Sequence, residues 1–229
     1  MIESAVLLAV GDSLQVVGGI PLIRRAIASL STGGVRRIVV VTGPKPELIR
    51  ESVTTDPSYG EGGVEIVFAH NPENDKGNGI ALLTGGAQIV GPMIVAMANH
   101  VYTPAMVRLV GDKNLTAADL HLGTDPRIED LVDVADANRV RSYGGRILEI
   151  GPQLAEYDRL ECGLLSTTPR LLVVLGQIRT ETGDCTLADG ARRLALDGRA
   201  RVADIGTERW QRVNTPAGRD AAEAMLARP

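Results

Sequence analysis

Aromatic residues are scarce in this chain of 229 residues, where they make up 3% of the sequence with one tryptophan and one phenylalanine. The core must therefore be built from Val, Leu, Ile and Ala, and a hydrophobic fraction of 44% supplies enough of them. Such a composition suits parallel strands that are covered by helices. It predicts an α/β protein.

Clusters of cysteine or of basic residues are also missing. The two cysteines, Cys162 and Cys185, lie in no CxxC or Cys/His pattern, which argues against a structural zinc site and favours reduced thiols, although a disulfide stays open. The net charge is −4 and arginines are scattered among acids, which argues against a nucleic-acid partner. A few local arginines and backbone N–H groups still suit a small phosphorylated ligand.

Long hydrophobic runs are absent as well. No apolar stretch approaches the roughly 20 residues that cross a bilayer, so we expect no membrane insertion. Residues 1–4 lead straight into an apolar strand without the basic segment of a signal peptide. These features predict a cytoplasmic protein.

The first half of the chain alternates between two hydrophobic patterns. Continuous apolar runs predict strands at residues 5–10, 37–42, 64–68 and 93–97, and helical spacing predicts helices at 21–30, 47–52, 80–89 and 103–110. Strand–helix alternation with short connections is typical of a parallel sheet with right-handed crossovers. Ligands bind such sheets beyond the carboxyl ends of the strands, here near residues 11–13, 42–43, 70–71 and 99–100.

The second half has a different character. Short strands are predicted at 131–134, 139–142 and 146–150, with a hairpin turn at 143–145, followed by apolar segments at 163–165 and 171–174. A helix at 187–196, a strand at 201–204 and a helix at 216–226 complete the chain. We expect one domain over residues 1–229: an α/β, doubly wound, mostly parallel Rossmann-like sheet with a small antiparallel excursion.

Several short motifs occur in an order that resembles the sugar-phosphate nucleotidyltransferases. Residues 17–23 (VGGIPLI) resemble the family's "V-x-G-x-P-L-I", and residues 76–79 (KGNG) and 99–102 (NHVY) are similar to "K-G-N-G" and "G-D-H-V-Y" of CTP:inositol-1-phosphate cytidylyltransferases. The match continues through residues 132–134, 139–141 and 145–147 and ends at 210–215 (WQRVNT), which resembles "W-x-D-V-D-T". The resemblance spans nearly the whole chain.

This resemblance implies a reaction in which a sugar or polyol phosphate attacks the α-phosphorus of an NTP and pyrophosphate leaves. Mg²⁺ bridges the phosphates, and the protein positions the reactants in line and neutralises charge. Family members use a Gly-rich loop with Arg and Lys after the first strand, an Asp after the fourth strand and an Asp near the C-terminus.

All three parts differ in this chain. The loop is shortened to residues 11–16 (GDSLQV) and lacks the Gly-x-Gly turn, its Arg and the following Lys. Asn99 matches the first metal Asp, Arg212 matches the second, and Asn214 occupies the next acidic position. An amide oxygen adds no charge and a guanidinium repels a cation, so the usual site with two carboxylates for Mg²⁺ is not expected to form.

Each candidate nucleotide-binding residue has two interpretations, a role in ligand binding and a purely structural role. Gly11, Asp12 and Ser13 form either a shortened nucleotide loop or an ordinary turn. Asn78 and Gly79 open a helix, whose N-terminus can hold an anion or a base edge, or Asn78 only caps that helix.

The charged candidate residues also have a functional and a structural interpretation each. Arg212 holds a phosphate without metal, or it pairs at the surface with Glu208 or Asp220. Glu161, where the family has an acceptor-facing Asp, binds a polyol hydroxyl or is solvated. For His100 a structural hydrogen bond is favoured over catalysis. Asp12, Lys76 and Asp133 look like solvated charges, although Lys76 is long enough to reach a phosphate.

Three functions follow from these alternatives. The favoured one is a family member that binds a nucleotide or a phosphorylated polyol or sugar, with catalysis weakened or lost. The second is an active cytidylyltransferase that needs Mg²⁺, and the third is a scaffold or regulatory subunit. No cofactor is certain for the first, and a homo-oligomer or a partner enzyme of CDP-alcohol metabolism is compatible with any of them.

Overall fold

A computed structural model describes residues 1–9, 12–135 and 137–227. Within these residues the α-helices are α1 (Leu22–Thr32), α2 (Pro46–Thr54), α3 (Asn78–Gly86), α4 (Pro104–Gly111), α5 (Arg170–Thr182), α6 (Leu187–Leu196) and α7 (Pro216–Leu226). The strands are β1 (Ser4–Ala9), β2 (Val16–Val17), β3 (Ile20–Pro21), β4 (Arg37–Thr42), β5 (Glu65–His70), β6 (Met93–Met97), β7 (His100–Tyr102), β8 (Leu120–Asp125), β9 (Arg139–Tyr143), β10 (Arg146–Gly151), β11 (Arg159–Thr167), β12 (Ala200–Asp204) and β13 (Trp210–Arg212).

One sheet joins the two halves of the chain. Its nine strands lie in the order β5-β4-β1-β6-β11-β8-β12-β10-β9. Strand β11 runs antiparallel to β6 and β8, and β10 runs antiparallel to β12 and β9, so these two strands oppose the other seven. The prediction of a mostly parallel sheet with an antiparallel excursion is confirmed.

Helices cover both faces of this sheet, as a doubly wound fold requires. One core cluster packs apolar residues of α3, α5 and α6 against the sheet, including Ile80, Leu171 and Leu194. The other packs α1, α2 and α4 against the opposite face. A third, smaller cluster, which includes Val17, Val213 and Ala222, joins α7 to the hairpin of β2 and β3 and to β13.

One predicted strand of the second half is absent. Residues 131–134 form no strand, because the backbone turns at Asp133 with a φ of 62°, a left-handed conformation that breaks an extended run. Residues 171–174, which were predicted only as an apolar segment, belong to α5; a continuous apolar run does not distinguish a buried strand from a buried helix. Strand β8 was not predicted, because His121 and Gly123 interrupt its apolar pattern.

Val10, the last residue of the first predicted strand, and Gly11 lie outside the described residues. Among the helices that the structure describes, none has both the length and the apolar character to cross a bilayer.

Candidate functional site

The short strands β7 and β13 build the candidate site next to the carboxyl end of β6. They pair antiparallel, with Arg212 opposite His100. The backbone N–H of Val213 donates to the carbonyl of Asn99 at 2.9 Å. This pairing brings the segment that follows β6 against the segment that precedes α7.

Arg212, Asn214 and Asn99 form a continuous polar contact. In the amide orientation that gives both of its polar atoms a partner, Asn214 accepts from Arg212 Nη2 at 2.6 Å and Nε at 2.9 Å. The side-chain amides of Asn214 and Asn99 are 2.7 Å apart. Asn99 is 5% exposed, whereas Arg212 is half-buried and Asn214 is exposed. The guanidinium is thus held in place at the edge of solvent.

The buried side chain of His100 contacts Asn99 and packs on Trp210. It is 7% exposed, its ring stacks on Trp210 with centroids 5.7 Å apart, and its Nδ1 lies 2.9 Å from Asn99 Oδ1. Burial, and secondarily the charge of Arg212, lowers the pKa of His100 to about 3. A neutral, enclosed imidazole orients Asn99 and is a poor general acid or base at neutral pH.

Trp210 is in turn anchored by Asp125, which the sequence interpretation did not single out. The indole Nε1 donates to Asp125 Oδ2 at 3.0 Å. Arg127 donates to both oxygens of the same carboxylate, from Nε and Nη2, each at 2.9 Å. Asp125 ends the unpredicted strand β8, so its partner across 85 residues could not be inferred from local pattern.

Glu161 is not the solvated carboxylate that one of the two interpretations expected. It is half-buried, and its Oε2 accepts from Asn138 Nδ2 at 2.6 Å. Burial raises its pKa, although the Asn138 hydrogen bond and the charge of Arg212 act in the opposite direction. Arg212 and Glu161 therefore lie close enough for electrostatic interaction.

Asp133 is also not a simple solvated charge. Its Oδ2 accepts from the backbone N–H of Asn214 at 2.7 Å and of Thr215 at 3.0 Å. The hydroxyl of Thr215 then accepts from Gly218 N at 3.1 Å and caps α7. Asp133 thus fixes the backbone at Asn214, and its Oδ2 already accepts two hydrogen bonds from the protein.

The described part of the first loop forms a turn that backbone hydrogen bonds hold. Gln15 N donates to Asp12 O at 3.0 Å, and Ile23 N donates to Ser13 O at 2.9 Å. Ser13 is 2% exposed and Asp12 is exposed. Gly11 lies outside the described residues, so its candidate role stays a prediction.

The segment from Lys76 to Gly79 contacts the connection between α5 and α6. Asn78 does not cap its own helix: Gly77 holds the N-cap position, and Asn78 Oδ1 accepts from Leu187 N, at the start of α6, at 2.8 Å. Gly79 N donates to Cys185 O at 3.1 Å, and a Cβ at Gly79 would lie 2.7 Å from that oxygen. Lys76 Nζ pairs with Glu73 at 2.7 Å. These groups are engaged within the protein.

The ligand chemistry of Asn99, Arg212 and Asn214 does not fit Mg²⁺. Mg²⁺ binds through carboxylates and other oxygens in octahedral geometry, and a guanidinium has no lone pair to offer and carries like charge. No group of three His, Cys, Asp or Glu side chains that could hold a metal occurs in the described part of the chain.

Arg212 also lacks the surface partners that the plainer interpretation gave it. Thr103 donates its hydroxyl proton to Glu208, and Asp220 lies 3.8 Å from Arg219. Among the described residues, no carboxylate lies within 4.0 Å of Arg212 in an ion pair. The positive charge is therefore available to an anion.

A cavity of about 1080 Å³ lies elsewhere, against α1 and next to α7. Arg24, Ile27, Tyr102 and Leu226 are among its lining residues, and none of the candidate site residues is. Its size alone does not connect it to the predicted chemistry.

Comparison with known proteins gives a consistent result. The chain is 30% identical over 215 residues to a bifunctional IPC transferase and DIPP synthase of Rubrobacter xylanophilus, covering 92% of this chain and 46% of that protein. It is 27% identical over 237 residues to the protein of the same name from Thermococcus kodakarensis, covering 99% and 51%. The chain thus spans about half the length of the curated relatives it matches. No family model matches the chain.

Solved structures share the fold. An inositol-1-phosphate CTP transferase from T. maritima superposes with a TM-score of 0.85 at 21% identity, covering 98% of this chain and 95% of that one. A UDP-glucose pyrophosphorylase in complex with UDP-glucose superposes with a TM-score of 0.77 at 17% identity, covering 99% and 98%. The chain is thus similar in sequence to these bifunctional proteins over about half of their length and shares the fold of the solved transferases, which fits the family that its motifs resemble.

Proposed function

We propose that this protein binds a nucleotide or a phosphorylated polyol or sugar at the Arg212 site, without a metal ion and with catalysis weakened or lost. The observation that carries the proposal is the guanidinium of Arg212, which is held by Asn214 and forms no ion pair within 4.0 Å among the described residues. The names of the relatives, IPC transferase and inositol-1-phosphate CTP transferase, favour CTP and inositol phosphate as first ligands to test.

The geometry of Arg212 suits a phosphate. Nε and Nη2 both point to Asn214, which fixes the plane of the guanidinium and leaves donors free on its other edge. A planar donor group of fixed orientation can give two parallel hydrogen bonds to phosphate oxygens. A hydrogen bond to a charged group contributes about 1.5–3 kcal/mol, which corresponds to roughly 10–150-fold in affinity.

Weakened catalysis follows from the same charges. The pyrophosphate leaving group needs cations that the shortened first loop does not carry, and the Mg²⁺ of the family's reaction is not matched by amides and a guanidinium. Removal of one such contact typically costs a hundredfold or more in turnover. We expect no Mg²⁺-dependent release of pyrophosphate from CTP with inositol 1-phosphate.

An active cytidylyltransferase is the second candidate, and the similarity to the bifunctional IPC transferases and to the inositol-1-phosphate CTP transferase favours it. In that reaction an acceptor phosphate oxygen bonds to the α-phosphorus while the bond to the pyrophosphate oxygen breaks. Glu161, with its raised pKa, lies near Arg212 and is available to hold an acceptor hydroxyl. A turnover number of about 1 s⁻¹ or more would establish this activity and overturn the proposed loss of catalysis.

Calorimetric titration with CTP, and separately with inositol 1-phosphate, tests the proposal. Binding should persist in EDTA, weaken as salt rises, and fall by roughly 10–150-fold in Arg212→Ala. Arg209→Ala is the matched control, because Arg209 is an exposed cation of the same segment and should leave affinity within about twofold. Equal affinities of wild type and Arg212→Ala, or no binding by either, would show that Arg212 is no ligand-binding residue.

A further inference from the structure

Four polar side chains form a continuous series of contacts that runs from the surface into the core. One end of the Asn214 amide lies 2.6 Å from Nη2 and 2.9 Å from Nε of Arg212, and its other end lies 2.7 Å from the amide of Asn99. The second end of the Asn99 amide lies 2.9 Å from Nδ1 of His100. Arg212 is half-buried, whereas Asn99 and His100 are buried. The series therefore connects the guanidinium of the candidate site to an imidazole in the core.

Arg212 fixes the direction of the hydrogen bonds in this series. A guanidinium has donors only, so the end of the Asn214 amide that faces it must be the oxygen. The NH2 of Asn214 then points to the carbonyl of Val213, at 3.2 Å, and to Asn99. The opposite orientation would set a donor against the guanidinium and an acceptor against the Val213 carbonyl. Two independent neighbours thus require the same orientation of Asn214.

The direction continues to His100. Because the NH2 of Asn214 faces Asn99, Asn99 must present its oxygen there, and its own NH2, and not its oxygen, is the end that lies against His100. An NH2 group donates, so Nδ1 of His100 must accept through its lone pair, and the ring proton is on Nε2. With a proton on Nδ1 instead, one of the three contacts would set two donors against each other.

Packing holds the His100 ring in this place. The ring stacks on Trp210 with centroids 5.7 Å apart, and it approaches the backbone of β11 so closely that a Cβ at Gly163 would lie 2.9 Å from Nε2. Burial, and secondarily the charge of Arg212, lowers the pKa of His100 to about 3, so the ring keeps a free lone pair at neutral pH. A neutral ring in a fixed place gives Asn99 a fixed acceptor.

We propose that His100 is a positioning residue for Arg212. Its Nδ1 lone pair sets the orientation of the Asn99 amide and, through Asn214, the plane of the guanidinium. Asn99 is 5% exposed, so its NH2 would be buried without a partner if that acceptor were removed. Asn99 and Asn214 would then lose one of the two end groups that select their orientation. The consequence for a ligand rests on the function proposed above, in which Arg212 contacts a phosphate.

Nitrogen-15 NMR of the ligand-free protein with labelled histidine tests the tautomer. The chain has three histidines, His70, His100 and His121, and the signals that disappear in His100→Asn identify those of His100. At neutral pH its Nδ1 should have the chemical shift of an unprotonated imidazole nitrogen, and its Nε2 that of a protonated one. A protonated Nδ1 would overturn the proposal, whether or not a ligand binds.

Two variants test the positioning through the Nε–H of Arg212. His100→Leu removes the acceptor, whereas His100→Asn places a side-chain oxygen near the position of Nδ1. In ligand-free protein, the Arg212 Nε–H signal, identified by its loss in Arg212→Ala, should exchange with solvent roughly tenfold or more faster in His100→Leu and at nearly the wild-type rate in His100→Asn. His70→Leu is the control, because His70 is exposed and its replacement should leave the rate unchanged. Equal rates in wild type and His100→Leu, or equally faster exchange in both His100 variants, would refute the role of the lone pair.

Calorimetric titration with CTP in EDTA separates this inference from the proposed function. No binding by wild type would refute the proposed function, and the NMR results would still decide the role of His100. Where wild type binds, His100→Leu should weaken binding by up to the factor lost in Arg212→Ala. In the Arg212→Ala background the same replacement should change the affinity by less than about twofold. A loss of affinity that persists in that background would show that His100 does not act through Arg212.

Discussion

Replacement of Gly163 by alanine should destabilise the protein through a collision with His100. Gly163 lies where the pairing of β11 with β8 shifts register, and its φ of +76° is in the left-handed region. A Cβ built there would lie 2.7 Å from His100 Cδ2. The His100 ring cannot retreat freely, since Trp210 stacks on it.

Two destabilising effects add in Gly163→Ala. A non-glycine residue in the left-handed conformation costs about 1–2 kcal/mol. Forcing an extra methyl group into a packed site costs typically 1–3 kcal/mol more. Gly145 provides the matched control, because its φ is also +76° and nothing lies within 4 Å of its Cβ position. Gly145→Ala should therefore lose only the unfolding free energy that the left-handed backbone conformation costs, about 1–2 kcal/mol.

Urea unfolding of the two variants measures the difference. We expect Gly163→Ala to be less stable than Gly145→Ala by about 1–3 kcal/mol at an unchanged m-value. His100→Ala in the Gly163→Ala background should recover most of this difference as a coupling energy in a double-mutant cycle. A difference below about 0.5 kcal/mol would refute the close packing of Gly163 against His100.

Two further outcomes are expected. Asn78→Ala should lose about 1 kcal/mol of unfolding free energy in urea, because Leu187 N at the start of α6 loses its acceptor, whereas Asn78→Asp should keep most of it; equal losses would contradict the capping role. Glu161→Gln should gain unfolding free energy relative to wild type as pH rises from 4 to 8. The raised pKa of Glu161 gives wild type a stability that is full below its ordinary value of 4.5 and is lost as pH rises through the folded pKa, so a parallel pH profile would contradict the burial of this carboxyl.

The first half of the fold was largely predictable from the sequence. Residues 37–42 and 93–97 form the predicted strands, and the remaining strand and helix boundaries shift by a few residues at most. These strands are buried on both faces, so their continuous apolar runs are unambiguous signals. The second half was less predictable, because β8 contains polar residues whose burial depends on distant partners such as Trp210.

The proximity of the candidate residues was predictable from the sequence, and their contacts were less so. The family resemblance predicts that Asn99 and Arg212 lie close together, and the pairing of β7 with β13 places Arg212 opposite His100, the residue after Asn99. Asp133 and Asn78 were misjudged for one reason. Their side chains bond to backbone groups more than 80 residues away, of Asn214 and Leu187, and no local pattern reports such a contact.

The charge of residue 212 distinguishes the proposed metal-free site from a site that binds Mg²⁺. A TM-score of 0.85 to a CTP transferase shows that the scaffold is shared, but a scaffold does not determine the ligand. An acidic side chain at this position would attract a cation, which would then attract phosphates. In the proposed metal-free site Arg212, whose guanidinium is oriented by Asn214, gives the phosphates a direct positive charge. On the function proposed above, affinity and metal dependence therefore separate: Asn99→Asp with Arg212→Asp should make nucleotide binding depend on Mg²⁺, and calorimetry with and without EDTA measures the change. Binding by this double variant that remains insensitive to EDTA would place the phosphates away from Arg212.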